Sequence, residues 1–90
     1  MDHLNSLILV GRYYSLTKID KSVSCLVIVI KENDGDISIP VIIGNDVADK
    51  ISEYCKYDDV IGIKGKIDAD KGGIIIVANK VTFLQTKRAN

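Results

Sequence analysis

The feature that most constrains the fold of this sequence is a change of periodicity between residues 39 and 67. The apolar run Ile39–Ile43 predicts the end of a strand, and it stops at Gly44. A short amphipathic helix is predicted next, about three turns long. A charged turn and another strand follow, and this strand carries the pattern G-x-K-G-K over residues 62–66. A small sandwich or an SH3-like barrel would not need a helix at this position, so the order favours a different kind of small β-barrel.

The predicted helix has a single apolar stripe. Its members recur at helical spacing, and they are Val47, Ile51, Tyr54 and Cys55. We therefore expect Tyr54 to lie in the core. Asn45 or Asp46 is the expected N-cap, because a short polar side chain can accept a hydrogen bond from the first turn. The charged segment Tyr57-Asp58-Asp59 is interpreted as the exit turn.

Two strands are predicted before this stretch. The first, Leu4–Val10, ends at Gly11 and is apolar on both faces, which indicates that one face meets the core and the other a second subunit. Tyr13–Lys21 is interpreted as a polar connection. The second strand, Val23–Ile30, is nearly continuous in apolar residues, so it too is expected to be buried on both sides.

The third strand is predicted over Ile37–Ile43. Asn33-Asp34-Gly35-Asp36 precedes it and is typical of a hairpin turn, which pairs this strand antiparallel with the second. Pro40 lacks a backbone N–H, so it implies a bulge or a sheet edge.

The last two strands are predicted over Val60–Ile67 and Ile74–Leu84, joined by the charged hairpin turn Asp68–Gly73. In Val60–Ile67, Ile61, Ile63, Gly65 and Ile67 share one face, and Val60, Gly62, Lys64 and Lys66 share the other. Gln85–Asn90 is a short polar tail. Ninety residues make one domain, residues 1–90, of the all-β class. Five strands with one helix between strands 3 and 4 predict a five-stranded Greek-key barrel, the oligonucleotide-binding (OB) fold, with the helix plugging its open end.

The composition argues against some modes of nucleic-acid binding. Twelve basic residues balance twelve acidic ones, which argues against binding polyanions through overall charge, although a local basic stripe could still bind them. The chain has five aromatic residues and no Trp, so few rings are available to stack on bases. Ile and Val number 24 against six Leu, a bias that suits pleated sheets.

Nothing in the sequence predicts catalysis, a metal or a cofactor. Cys25, Cys55 and His3 lack metal-ligand spacing, and the cysteines are expected to be buried free thiols. A Ser or Cys nucleophile would lack a histidine base. With no signal peptide and no run of about 20 apolar residues, we expect a cytoplasmic protein without a membrane partner or a small-molecule substrate.

Three segments resemble the bacterial single-stranded DNA-binding protein family. Leu4–Arg12 is similar to the opening strand of the family. Val47–Tyr54, followed by Val60–Lys66, is similar to its helix and fourth strand, and Val77–Leu84 to its last strand. The three segments occur in the family's order and span nearly the whole chain.

The resemblance implies an OB fold that binds single-stranded DNA without sequence specificity. It also implies a homodimer or homotetramer assembled partly through the first strand, residues Leu7, Ile8, Leu9 and Val10. Family members stack bases on aromatic residues in the third strand and in the hairpin before the last strand. Here the third strand has Ile37 and Ile43 instead, and the hairpin Asp68–Gly73 has no ring. Members also commonly carry an acidic tail, whereas this tail is basic, with Lys87 and Arg88. The chain thus resembles a minimal, divergent relative, of phage, plasmid or transposon type or similar to a primosomal protein.

Five residues are the predicted DNA contacts. They combine cations for phosphates with rings for bases, and they are Arg12, Tyr13, Tyr14, Lys64 and Lys66. Lys64 and Lys66 lie about 7 Å apart on one strand face, close to one phosphate-to-phosphate step. One of the two tyrosines is expected to cover the barrel end instead. Both hairpins carry acidic residues, which disfavours phosphate binding by their loops.

The leading hypothesis is therefore non-catalytic, sequence-independent binding of single-stranded DNA in replication, recombination or repair. The alternative is a protein-interaction or assembly module that kept the fold and lost nucleic-acid binding. A third reading is an RNA-binding barrel that recognises the 2′-hydroxyl.

Overall fold

A computed structural model describes residues 5–85 and shows a closed five-stranded barrel with one helix. The elements are β1 (Leu7–Lys18), β2 (Val23–Ile30), β3 (Ile37–Gly44), α1 (Asn45–Tyr54), β4 (Val60–Asp70) and β5 (Gly73–Gln85). The strand order is β1-β2-β3-β5-β4, and β1 also pairs with β4. All pairings are antiparallel except β3 with β5, which are parallel and meet at Ile42 and Val77. The predicted fold class is confirmed, and the barrel is closed.

The core is built from alternate residues of the strands and one face of α1. Its fully buried large side chains include Leu26 and Ile28 of β2, Ile43 of β3 and Ile61 of β4. Burying each such side chain contributes about 1.5–3 kcal/mol. The β-branched bias of the sequence thus fills the inner faces of the sheet. From α1, Ala48 and Ile51 pack onto the same core.

The first strand is longer than predicted, and the polar connection expected from Tyr13 is wrong. β1 continues to Lys18 because Tyr13–Lys18 pairs with β2, so the β2 partner satisfies its backbone despite the mixed polarity of the segment. Leu16 and Tyr13 pack against the core. Leu4, the predicted start of this strand, lies outside the described residues, as do His3 and the tail residues Lys87 and Arg88.

The hairpin between β4 and β5 is tighter than predicted. Residues 68–70 continue β4, and only Lys71 and Gly72 separate the strands, with the positive φ of 127° at Gly73 closing the turn. The hairpin therefore projects as a two-stranded arm, and Ile67, expected on the inner face, is exposed. Asn5 anchors its base, because its side chain donates to the Ile67 carbonyl at 2.7 Å and accepts from the Ile67 N–H at 2.9 Å.

Two predictions for α1 are wrong. The N-cap is Gly44, and the Asn45 side chain instead accepts from Ser24 Oγ at 2.5 Å and donates to the Asp20 carbonyl at 3.0 Å. Tyr54 is 52% exposed, and its ring packs beside Phe83 at a centroid distance of 5.9 Å. Tyr54 is the last residue of α1 and lies at the edge of its apolar face, and the next residue, Cys55, is buried.

The predicted edge at Pro40 agrees with the pairing of β3. Its pairing with β2 passes Pro40 without a register shift, so a bulge is not needed. On its other side, β3 meets β5 only at Ile42, which leaves Pro40 beside an open edge. Cys25 and Cys55 form no disulfide, and Cys55 is buried whereas Cys25 is only half-buried. Between residues 5 and 85, no helix is long and apolar enough to cross a membrane.

Candidate nucleic-acid interface

Arg12 lies on the outward face of β1 and is held against the turn that follows α1. Its Nη1 donates to the Asp58 carbonyl at 3.1 Å and lies 3.6 Å from Asp58 Oδ2. About a third of the Arg12 side chain remains accessible. The guanidinium therefore has a fixed position and a partly compensated charge.

Tyr14 is placed by a β-bulge in β1. Tyr13 pairs with Ile28 and Ser15 with Val27, so Tyr14 is the extra residue between two register positions. A bulge redirects the side chain of the inserted residue. Here the exposed Tyr14 ring packs against Tyr57 with a centroid distance of 5.9 Å and an interplanar angle of 57°.

Tyr57 was not among the predicted contacts, although it is 68% exposed. It lies in the turn Lys56–Asp59, which is closed by a hydrogen bond from the Asp59 N–H to the Lys56 carbonyl at 3.0 Å. The buried Asp59 carboxylate also accepts from the Lys56 N–H at 2.9 Å. Asp58 has a φ of 76°, the left-handed conformation that the third residue of a type II turn requires.

Two further hydrogen bonds tie this turn to β1. The Tyr13 N–H donates to the Asp59 carbonyl, and the Asp58 N–H donates to the Tyr13 carbonyl, both at 2.8 Å. The turn therefore extends the pairing of β1 and β4 beyond Val60. No local sequence signal brings Tyr57 to Tyr14, because they meet only when the barrel closes.

Tyr13 borders the same cleft as Arg12 and Tyr14, but it is more buried than Tyr14. It lies on the core side of β1 and packs against the core. Burial, followed by the charge of Cys55, raises the pKa of Tyr13 above its ordinary value of 10.0. Tyr13 is thus the tyrosine that covers the barrel, and Tyr14 is the one left at the surface.

Lys64 and Lys66 lie farther along the barrel, on the outward face of β4. Lys64 is opposite Ile8 of β1 and Lys80 of β5. Lys64 is four residues from Val60, which pairs with Arg12. The backbone positions of Lys64 and Arg12 are therefore about 13 Å apart in the direction of the strand. Lys64 borders a groove of about 300 Å³ whose other lining residues are Ile8, Val10, Gly62, Ile63, Lys80, Thr82 and Leu84.

The groove at Lys64 is continuous with the cleft at the tyrosines. An intermediate groove shares Val10 with the former, and it shares Arg12, Val29 and Lys31 with the latter. The tyrosine cleft has a volume of about 90 Å³ and is lined by Arg12, Tyr13, Tyr14, Val29, Lys31, Asp36, Tyr57 and Asp58. We call this continuous surface, from Lys64 to Tyr57, the β1 track. It brings Arg12, Tyr14 and Lys64 together, with Lys66 one outward step beyond.

The third strand offers a different surface. Ile37 is half-exposed and Ile43 is buried, as expected of apolar residues without a ring to present. A groove between β3 and the arm is lined by Ile39, Pro40, Ile42, Ile74, Ile75 and Ile76, none of which is charged. At the other hairpin, Lys31 is paired with Asp36 at 3.2 Å. No group of His, Cys, Asp and Glu side chains within residues 5–85 is arranged to hold a metal ion.

Solved structures of single-stranded DNA-binding proteins have the same architecture. The mitochondrial single-stranded DNA-binding protein Rim1 of S. cerevisiae superimposes with a TM-score of 0.78 at 12% identity, covering 97% of this chain and 100% of that one. A second crystal form of Rim1 gives 0.75 at 17% identity, with coverage of 98% and 100%. The SSB domain of a Synechococcus sp. protein gives 0.67 at 17% identity, with coverage of 91% and 98%.

The chain has the OB fold of these proteins. The resemblance predicted from the three sequence segments is thereby confirmed for the fold. The sequence matches no protein-family model and has no significant match among curated proteins.

Proposed function

We propose that this protein binds single-stranded DNA, without sequence specificity and without catalysis, along the β1 track. The observation that carries the proposal is that four cations and two exposed rings follow one continuous surface. The cations are Lys80, Lys64, Arg12 and Lys31, and the rings are Tyr14 and Tyr57. Cations that follow a phosphate backbone beside stacking rings are the usual means of single-strand binding. Single-stranded DNA binding is also what the names of the similar structures state for those proteins.

The length of the track suits a short contact per copy. From Lys64 to Val60 is about 13 Å of strand, and the turn that carries Tyr57 follows directly. OB domains contact about 4 to 16 nucleotides each. One copy of a neutral chain would therefore bind weakly, and linked copies would raise the affinity without new contacts.

We also propose that the protein works as a homodimer or homotetramer through its first strand. Ile8 is 71% exposed, and Val10 and Leu84 are about half exposed on the same outer face. If a second copy covered this face, Lys64 and Lys80 would lie at the border of the interface. It would leave Arg12, Tyr14 and Tyr57 open at the other end of the track. Such a protein would act in replication, recombination or repair, in the cytoplasm.

One observation favours the alternative function, an assembly module without a nucleic-acid ligand. Two track cations are each paired with a carboxylate, Arg12 with Asp58 and Lys31 with Asp36, beside the exposed apolar face. An assembly module would form the same oligomer and ignore oligonucleotides.

Charge reversal tests the proposal. The variant Lys64→Glu/Lys66→Glu is compared with Lys21→Glu/Lys50→Glu, which makes the same charge change at exposed lysines outside the grooves of the track. We expect the first pair to weaken oligo-dT binding at least about tenfold more than the second, measured by fluorescence anisotropy at low salt. Equal effects would remove Lys64 and Lys66 from the site. Oligo-U in parallel tests the RNA-binding reading.

A further inference from the structure

We propose that Tyr57, supported by Tyr14, is a base-stacking platform at the end of the β1 track. The inference rests on the proposed function and deepens it, because it says which of the two rings carries a base and which ring supports it. The two rings are tilted by 57° at a centroid distance of 5.9 Å, so they contact each other and leave no space for a base between them. The base therefore stacks on the open face of Tyr57, the more exposed of the two rings.

The backbone that carries the platform is held in place before any ligand arrives. Tyr57 projects from a turn that is held by four hydrogen bonds involving backbone groups. Two of them lie within Lys56–Asp59, and two join the turn to Tyr13 of β1. Tyr14 projects from a bulge in the same strand. Because the backbone of both segments is held and the two rings contact each other, less conformational entropy is lost when a base stacks. Asp58 keeps a left-handed φ in this turn, a conformation that tends to persist at functional sites.

The charges around the platform favour a base over a phosphate. Arg12 lies 3.6 Å from Asp58, and Lys31 lies 3.2 Å from Asp36, so each cation already has an anionic partner. The cleft therefore offers aromatic surface with little net charge. Stacking there releases few counterions, and its contribution to binding should not depend on salt. The salt-dependent part of binding belongs mainly to Lys64, Lys66 and Lys80, which pair with no described carboxylate.

This placement differs from the one implied by family resemblance. The family carries its rings on the third strand and on the hairpin before the last strand, where this chain has Ile37 and Ile74 at the surface. Tyr14 and Tyr57 instead lie near β1, which pairs with the edge of β2 that faces away from β3. There the turn after α1 meets the bulge of β1.

The chain contains its own control. Tyr54 and Phe83 form a second ring pair with the same centroid distance and a tilt of 54°. Tyr54 is half-exposed, like Tyr14, but it lines none of the grooves of the track. Replacing it removes the same kind of ring contact from a surface without the track cations.

The experiment measures oligo-dT binding by Tyr57→Ala, Tyr57→Phe and Tyr54→Ala across a salt series. We expect Tyr57→Ala to weaken binding about 5- to 100-fold with an unchanged salt slope, the loss typical of one stacked base. Tyr57→Phe should keep the affinity, and Tyr54→Ala should match the wild type. Because the chain has four Tyr and no Trp, tyrosine fluorescence is a second readout. Stacking should quench it in the wild type and in Tyr54→Phe, and much less in Tyr57→Phe.

The outcomes separate this inference from the proposed function. If the wild type binds oligo-dT and both Tyr57→Ala and Tyr54→Ala bind equally well, the platform is wrong and the proposed function stands. A reduced salt slope in Tyr57→Ala would also contradict the platform, since it would show a phosphate contact. If the folded wild type binds no oligonucleotide, both proposals fail.

Discussion

At the residue scale, Asp58 shows how one backbone conformation holds the candidate site. Its φ of 76° costs an L-residue about 1–2 kcal/mol, a cost that glycine avoids. Asp58→Gly should therefore be more stable than Asp58→Ala by about 1 kcal/mol, because both variants lose the same partly exposed contact with Arg12. Chemical denaturation of the two variants measures the difference.

At a control position inside a helix, the stability order of the Gly and Ala variants should reverse. Asp49 is exposed in α1, where Ala is favoured over Gly by about 1 kcal/mol. If Asp58→Ala were the more stable variant at position 58 as well, the left-handed turn that presents Tyr57 would be contradicted.

Tyr13 predicts an alkaline dependence of stability. Burial and Cys55 raise the pKa of Tyr13 in the folded state above 10.0, whereas the unfolded chain loses the proton near that value. Between the two pKa values the folded state holds more protons, so the free energy of unfolding falls as pH rises. The contribution of Tyr13 to the free energy of unfolding is complete below pH 10, and it is lost as pH rises through the pKa of Tyr13 in the folded state. Tyr13→Phe should reduce this fall in thermal melts between pH 9 and 11, and an identical pH profile would contradict it.

At the element scale, Gly65 allows β4 and β5 to approach closely. A Cβ at this position would collide with the Val77 carbonyl and lie 2.9 Å from the Ala78 Cα, beside the register shift of the two strands. Gly65→Ala should lower the free energy of unfolding by about 1–3 kcal/mol, since neither obstacle is a flexible side chain. Gly72→Ala is the control, because nothing lies within 4 Å of a Cβ there and its φ is not positive. Equal stability of the two variants would refute the close approach.

The elements also show what sequence reasoning can reach. The strands at Val23–Ile30 and Ile37–Gly44 and the helix between β3 and β4 follow from strong apolar periodicity, and they were predicted almost to the residue. The second half of β1 was missed because its residues alternate weakly, and its pairing with β2 decides its structure. The exposed position of Tyr54 was missed because its place on the apolar stripe of the helix does not show where the helix leaves the core.

The candidate site was only partly predictable for a related reason. Arg12, Tyr14 and Lys64 were predicted because cations and rings beside a predicted strand indicate a binding face, and the structure places them along one surface. Tyr57 was not found, because only the closed barrel brings the turn after α1 to the bulge at Tyr14. No pattern within either segment encodes that meeting.

At the scale of the whole molecule, the proposed DNA binding by a chain with no net charge requires local charge. If about four phosphates are neutralised per copy, the logarithm of the association constant should fall with the logarithm of salt concentration with a slope near −3. Lys64→Glu/Lys66→Glu should make this slope shallower by at least about 1. A slope near zero for the wild type would show that the cations of the β1 track do not contact phosphates.

Association is the second property of the whole molecule. Ile8→Asp places a charge in the exposed apolar face without touching the core, since Ile8 points outward from β1. We expect the wild type to sediment as a dimer or tetramer and Ile8→Asp as a smaller species. Ser6→Asp is the control, because this exposed residue precedes β1. A wild-type monomer at high concentration would contradict assembly through the first strand.

The most direct test is the anisotropy of labelled oligo-dT and of a duplex of equal length, titrated with the wild-type protein at low and physiological salt. Our account predicts salt-sensitive binding that prefers the single strand. A folded protein that binds neither at low salt, or binds the duplex equally well, would contradict the proposed function.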